Sequence, residues 1–168
     1  MITTDYVGTM AAYNRWQNRS VYGAAANLGD DQRREDRGLF FGSVHATLNH
    51  LLWGDKTWLS RFSGRAPARV ASIPESVGEY ELWGDMVAAR RALDDEIVAW
   101  SLEVTDEFLA GDLSWYSGAA GRHISKPYGL LVTHFFNHQT HHRGQIHGAL
   151  TAMGQTPDDT DLPFMPEE

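Results

Sequence analysis

Apolar side chains recur every three or four positions in four long stretches of the chain. The stretches are residues 3–28, 39–62, 80–102 and 128–153. This spacing matches the 3.6-residue period of an amphipathic helix. Gly29 follows the first stretch and Gly154 follows the last, and glycine commonly ends a helix. The pattern therefore predicts four long helices.

The segments between these stretches have different patterns. Residues 30–38 are a charged run, which is typical of a surface loop, and residues 63–76 are rich in Gly, Pro, Ala and Ser. Residues 103–126 alternate apolar positions around a small-residue turn, which predicts an extended or hairpin-like connection. Residues 154–168 contain three prolines and predict an irregular tail.

Together these elements predict one all-α domain over residues 1–168, a four-helix bundle. A long irregular connection would join the third helix to the fourth. In the tail we expect three residues to dock on the bundle, namely Leu162, Pro163 and Phe164.

Charge and composition restrict the possible functions. The chain has 168 residues and a net charge of −8, which opposes binding to nucleic acid or to an anionic membrane. It has no cysteine, which excludes disulfides, thiolate metal sites and cysteine nucleophiles. We see neither a signal-peptide pattern nor an apolar run long enough to span a membrane. We therefore expect a cytoplasmic protein without nucleic-acid or membrane partners.

Histidines are concentrated in the fourth predicted helix. Four of the eight lie in residues 137–147, and His134 lies just upstream. Side chains four apart on a helix are neighbours, so His138 can hold one metal ion with either His134 or His142. His141 offers an alternative partner three residues from His138. The run is internal and interleaved with apolar residues, which argues against a purification tag.

A third metal ligand must come from elsewhere, because open catalytic sites usually have three protein ligands. The second predicted helix contains His45 and His50, which lie about 140° apart around a helix, so only one can face a shared ion. The apolar stripe lies nearer His45 and weakly favours it. His123, in the connection, is a further candidate, whereas His147 points away from the cluster.

The sequence resembles the DinB family, damage-inducible proteins also described as DinB/YfiT-like metalloenzymes. Four segments carry the resemblance and follow in order over most of the chain: AAYNRWQNRSVYGAAANL, FFGSVHATLNHLLWGDKTWLSRF, HFFNHQTHHRGQIHGALTAMG and DLPFM. The resemblance implies an up-down-down-up four-helix bundle, usually a homodimer. It also implies three metal ligands: His50 in LNHLLWGD, and His138 and His142 in NHQTHH. It therefore favours His50 over His45.

The same resemblance gives expectations for the neighbouring residues. His134 and His141 would line the cavity or support the ligands. Arg143, Gly144 and Gln145 complete an HRGQ signature. We expect Arg143 to anchor the bundle through a carboxylate and Gly144 to permit close helix packing.

A divalent ion on three imidazoles can lower the pKa of bound water and polarise a carbonyl or phosphoryl oxygen. Nitrogen ligands favour zinc or nickel, with iron, manganese or copper as alternatives. The resemblance implies a metal-dependent hydrolase or a small-thiol S-transferase acting on a small-molecule substrate. The alternative is a noncatalytic metal-binding stress-response protein. The acid or base candidates are Asp55 and Asp161.

Five of the six tryptophans recur at helical spacing, which predicts that they are mostly core or interface residues and that one lines the cavity. They are Trp16, Trp53, Trp58, Trp83 and Trp100.

Overall fold

A computed structural model describes residues 2–167. Its long helices are α1 (Thr4–Ala26), α3 (Val44–Ser63), α5 (Trp83–Ser101) and α7 (Tyr128–Ala152). Shorter elements are α2 (Asp30–Arg34), α4 (Ile73–Ser76), α6 (Asp106–Ala110), β1 (Asp112–Ser117) and β2 (Arg122–Pro127). The four predicted long helices are thus present.

The second helix begins later than its apolar pattern predicts. Its N-cap is Ser43, whose hydroxyl oxygen accepts a hydrogen bond from the Ala46 backbone N–H at 3.1 Å. Leu39 and Gly42 form an isolated bridge in the preceding turn. The prediction of helix over residues 39–43 is therefore wrong, because this segment turns sharply before the cap.

Contacts between helices establish the directions of the bundle. Helix α5 runs antiparallel to α1, since Asn14 contacts Asp94 and Tyr22 contacts Trp83. Helix α7 runs parallel to α1, since the contacts between them follow the same order along both helices. The pairs are Tyr6 with Phe136 and Asn14 with Arg143.

Helix α3 is parallel to α5 and antiparallel to α7. The α3–α5 pairs are Asp55 with Arg90 and Phe62 with Trp100; the α3–α7 pairs are His50 with His142 and Phe62 with Tyr128. In chain order the long helices therefore run up, down, down and up, as expected. Apolar side chains from all four form the buried core.

The connection between α5 and α7 is ordered. After α6, strands β1 and β2 pair antiparallel, with Asp112 opposite Pro127 and Ser117 opposite Arg122. The hairpin prediction is confirmed, and the expectation of an irregular connection is wrong. Alternating apolar positions on β1 place Leu113 and Trp115 against the bundle.

The charged segment after α1 lies mostly at the surface, as predicted, but it is not entirely a loop. Its first part forms α2, and Arg33 of that helix is buried. The guanidinium of Arg33 donates to the backbone carbonyls of Ala25 and Leu28, which ties α2 to the end of α1.

The tail contacts the bundle through its backbone. The Tyr13 hydroxyl donates to the Thr160 carbonyl at 2.7 Å, and the Gln17 amide donates to the Asp159 carbonyl at 2.8 Å. Leu162 is 41% exposed and Phe164 is 66% exposed in a short 3-10 helix (Leu162–Phe164). The expectation that the apolar residues of this helix, including Pro163, dock on the bundle is therefore wrong. No helix in the described range combines the length and apolarity needed to cross a membrane.

Candidate metal centre

Three imidazoles meet where α3 and α7 pack together. His138 and His142 lie one turn apart on α7, and the antiparallel contact places His50 of α3 beside them. One ring nitrogen of each lies within 4.8 Å of the other two. The Nε2 atoms of His50 and His138 are 3.3 Å apart.

Ser76 orients the His50 ring from α4. The distance from Nδ1 of His50 to the Ser76 hydroxyl oxygen is 2.8 Å, and that hydroxyl donates to the Ile73 carbonyl at 2.6 Å. Because the hydroxyl's single proton goes to the carbonyl, Nδ1 of His50 is the donor in the other bond. The His50 Nε2 lone pair therefore faces the cluster.

Gln145 orients His142 in the same way. Nδ1 of His142 donates to the Gln145 side-chain oxygen at 2.9 Å, which leaves Nε2 with a free lone pair. This partner lies three residues along the same helix. Outer hydrogen bonds of this type fix the tautomer and the ring direction of metal-binding histidines.

His138 is positioned by packing. A Cβ atom at Gly54 would lie 2.9 Å from Cε1 of His138, so the ring occupies space that only glycine leaves free. Its Nδ1 is buried and has no hydrogen-bond partner in the described residues. Phe41 covers the neighbouring ring of His50, with ring centroids 3.9 Å apart.

All three imidazoles are neutral at pH 7. Burial lowers the pKa of His50 to about 4 and that of His138 to about 3, and nearby imidazoles lower both further. The pKa of His142 is also lowered, chiefly by burial, against the opposing effect of its bond to Gln145. Facing lone pairs repel unless a proton or a cation lies between them. This donor set therefore fits a divalent cation that prefers nitrogen ligands.

A cavity of about 830 Å³ opens beside the three histidines. Three tryptophans line it, Trp53 and Trp58 from α3 and Trp115 from β1, whereas sequence reasoning expected one. Trp100 is buried in the core as predicted. Trp115 was missed because its contact with the bundle depends on how the hairpin folds back.

The DinB family model matches residues 1–168. The chain belongs to the DinB family. It is 22% identical over 161 residues to Protein DinB of Bacillus subtilis (strain 168), covering 94% of this chain and 92% of that one. It also resembles the solved structure of YfiT from Bacillus subtilis, with a TM-score of 0.66 and 15% identity, covering 93% and 92% of the two chains. That protein is described as a probable metal-dependent hydrolase with an unusual four-helix bundle topology. At this identity the likeness establishes the fold.

The other histidines of this DinB-family chain occupy distinct environments. His45 is buried away from the cluster, with Nε2 3.1 Å from the Tyr80 carbonyl, so the weak preference for it was wrong. His123 packs on Tyr116 across the hairpin. His134 and His141 line the cavity, as the resemblance implied. His147 lies instead at a separate pocket beside α1.

Neither proposed acid or base is at the site. Asp55 is fully buried and pairs with Arg90 at 2.6 Å, while Gln139 donates to its other oxygen at 3.1 Å. Asp161 is exposed in the tail. Asp55 is therefore structural, since this buried ion pair explains its place in the apolar stripe of α3, and Asp161 lies outside the site.

The expectations for Arg143 and Gly144 of the HRGQ signature are wrong. Arg143 is buried, but its guanidinium donates to the Asn14 side-chain oxygen, so the anchor is an amide rather than a carboxylate. Gly144 is exposed, and a Cβ atom there would meet nothing within 4 Å. The glycine that permits close packing is Gly54, whose role depends on a ring from another helix.

Proposed function

We propose that this DinB-family chain binds one divalent metal ion through His50, His138 and His142 and hydrolyses a small molecule in the adjoining cavity. The observation that carries the proposal is the convergence of three neutral imidazoles, two of which have their Nδ1 atoms engaged by Ser76 and Gln145. Nitrogen ligands favour zinc or nickel, followed by iron, manganese or copper.

Each part of the site has a task in this proposal. A divalent ion bound here would polarise a carbonyl or phosphoryl oxygen and lower the pKa of a coordinated water or thiol. Three protein ligands leave coordination positions for substrate. Ser76 and Gln145 hold the imidazoles in the binding tautomer, and the aromatic walls bind apolar parts of the substrate and exclude bulk water.

Small-thiol transfer is the second candidate function. Among the described residues, the cavity lining includes no aspartate or glutamate, so no carboxylate base is at hand. A thiol, with an ordinary pKa near 8.5, needs less help from a base than water does. A thiol co-substrate is therefore the alternative to water as the group activated at the site.

The DinB resemblance also predicts a homodimer, and the expected location is the cytoplasm. Both remain predictions. Analytical ultracentrifugation of the purified chain would test the dimer, and a sedimentation coefficient expected for a single chain at micromolar concentration would contradict it.

Elemental analysis of untagged protein tests metal binding. We expect about one metal ion per chain. The alanine variants of His50, His138 and His142 should each lose it without unfolding. The His147→Ala variant is the matched control, because it removes a histidine of the same helix outside the cluster. Absence of metal, or retention of metal by all three cluster variants, would refute the metal site.

A substrate screen then separates the activities. The panel contains esters, amides and pairs of a small thiol with an electrophile, each tested with the wild type and with His138→Ala. Hydrolysis that depends on His138 supports the first function, and thiol transfer that depends on it supports the second. A metal-loaded protein that turns over nothing in the panel would favour the noncatalytic metal-binding alternative.

A further inference from the structure

Arg61 brings a positive charge into the cavity. It lies near the end of α3, and its guanidinium carbon is 4.7 Å from the ring centre of Trp58 and 5.8 Å from that of Trp115. Among the described residues it has no hydrogen-bond or ion-pair partner. It is half-buried, so its N–H donors remain reachable from the cavity.

Two other arginines that are at least partly buried have carboxylate partners. Arg65, one turn further along, pairs with Glu103 at 2.7 Å, and Arg90 pairs with Asp55 at 2.6 Å. Among the described residues lining the cavity, Arg61 is the only one with a formal charge. A partly desolvated cation without a counterion is costly, and an anionic ligand would offset that cost.

Helix geometry aligns Arg61 with the histidine cluster. It follows His50 by eleven residues, about three turns, so both lie on one face roughly 16 Å apart along the axis. Helical side chains lean toward the N-terminus, which brings the guanidinium back toward His50. A series of ring contacts connects Trp58, beside Arg61, to the histidine cluster. The ring centroids of Trp58 and His134 are 5.2 Å apart, and those of His134 and His138 are 5.8 Å apart.

The surroundings favour a carboxylate over a phosphate. Arginine binds carboxylates through two parallel hydrogen bonds, and one arginine balances one negative charge. Phosphate-binding sites usually also contain backbone N–H groups. These come from the start of a helix or from a turn in which successive N–H groups point at one anion. Here the groups around the guanidinium are the aromatic faces of Trp58 and Trp115.

We propose that Arg61 binds a carboxylate of the substrate, so that the substrate class is a carboxylate-bearing small molecule with an apolar middle part. Its apolar part would lie against Trp58 and Trp115, and its reacting group would reach the three histidines. This inference rests on the proposed function, because it takes the cavity beside the histidines as the substrate cavity.

The test compares two ligands of matched shape, phenylbutyrate and its neutral amide, phenylbutyramide. Calorimetry would measure their binding to the full chain, before and after metal is stripped with EDTA. The variants are Arg61→Gln, Arg61→Lys and the control Arg65→Gln, which removes a neighbouring charge outside the cavity. Thermal melts would verify that each variant is folded.

We expect the wild type to bind the acid about tenfold or more tightly than the amide, with and without metal. Arg61→Gln should lose this preference, Arg61→Lys should keep part of it, and Arg65→Gln should keep all of it. If the preference persists in Arg61→Gln but disappears on metal removal, the carboxylate binds the metal and the inference is wrong.

No preference in the wild type would equally overturn it. Failure of the metal site itself is distinguishable, because absence of metal would leave the Arg61-dependent preference in place.

Discussion

The His138 ring occupies the space that a side chain at position 54 would need, since a Cβ atom on Gly54 would lie 2.9 Å from Cε1 of His138. We predict that Gly54→Ala turns this ring away and weakens metal binding about tenfold or more, the loss seen when metal-site support is removed. Folding stability should fall little, because alanine is favoured over glycine in a helix by about 1 kcal/mol. Competition titration with a chromogenic chelator would measure the affinity.

The matched control is Gly144→Ala, which adds the same methyl group to α7, where it meets nothing within 4 Å. It should bind metal as the wild type does. Equal affinity in the wild type and Gly54→Ala would contradict the proposed role of Gly54.

Removing the acceptor for Nδ1 of His50 should loosen the site. We predict that Ser76→Ala lowers metal affinity by about 10- to 100-fold, because the ring loses the bond that fixes its tautomer and direction. The same titration would measure the loss. Ser63→Ala is the control, since the Ser63 hydroxyl donates to the Leu59 carbonyl at 2.7 Å, away from the histidines. An unchanged affinity in Ser76→Ala would rule out this role for Ser76.

Acidification should destabilise the metal-free protein through the buried imidazoles. The pKa values of His50 and His138 are about 4 and about 3 in the folded chain, and near 6.5 when unfolded. Between these values the unfolded state binds more protons, so the free energy of unfolding falls as the pH falls below about 6.5. The two groups together contribute up to about 2–3 kcal/mol per pH unit.

Urea unfolding at several pH values between neutrality and pH 4 would measure this slope. The double variant His50→Gln, His138→Gln should show a shallower one, and comparing the two slopes cancels the other titrating groups. Identical slopes would show that these imidazoles do not account for the acid sensitivity.

The buried ion pairs of Arg90 should stabilise the folded state without affecting metal binding. Burial alone would lower the pKa of the Arg90 guanidinium, but the carboxylates of Asp94 and Asp55 raise it above its ordinary value. We predict that Arg90→Leu lowers the free energy of unfolding by about 3–5 kcal/mol, because it leaves buried carboxylates unpaired. At a temperature where the variant stays folded, its metal content should match that of the wild type. A stable variant that lost metal would contradict this separation.

The sequence predicted the long helices well because their apolar residues follow one period and glycines follow the first and the last of them. The apolar pattern weakly favoured His45, which lies nearer the apolar stripe than His50 does, because only the packing of α7 decides which of the two meets His138. The DinB resemblance made that choice. Two residues were not predicted: Ser76, which contacts His50 from a four-residue helix, and Trp115, which lines the cavity from a hairpin. The placement of both elements depends on tertiary contacts.

His50 and His138 are 88 residues apart in the chain. A disordered polypeptide retains the local pair His138 and His142, but it brings in the third imidazole only by closing a long loop, at a large entropic cost. A cation that prefers all three nitrogens would therefore bind the native state selectively, and its binding free energy would add to conformational stability by mass action. The midpoint of thermal denaturation would then rise with the free ion concentration, so the ion would stabilise the fold in addition to its proposed role in a reaction.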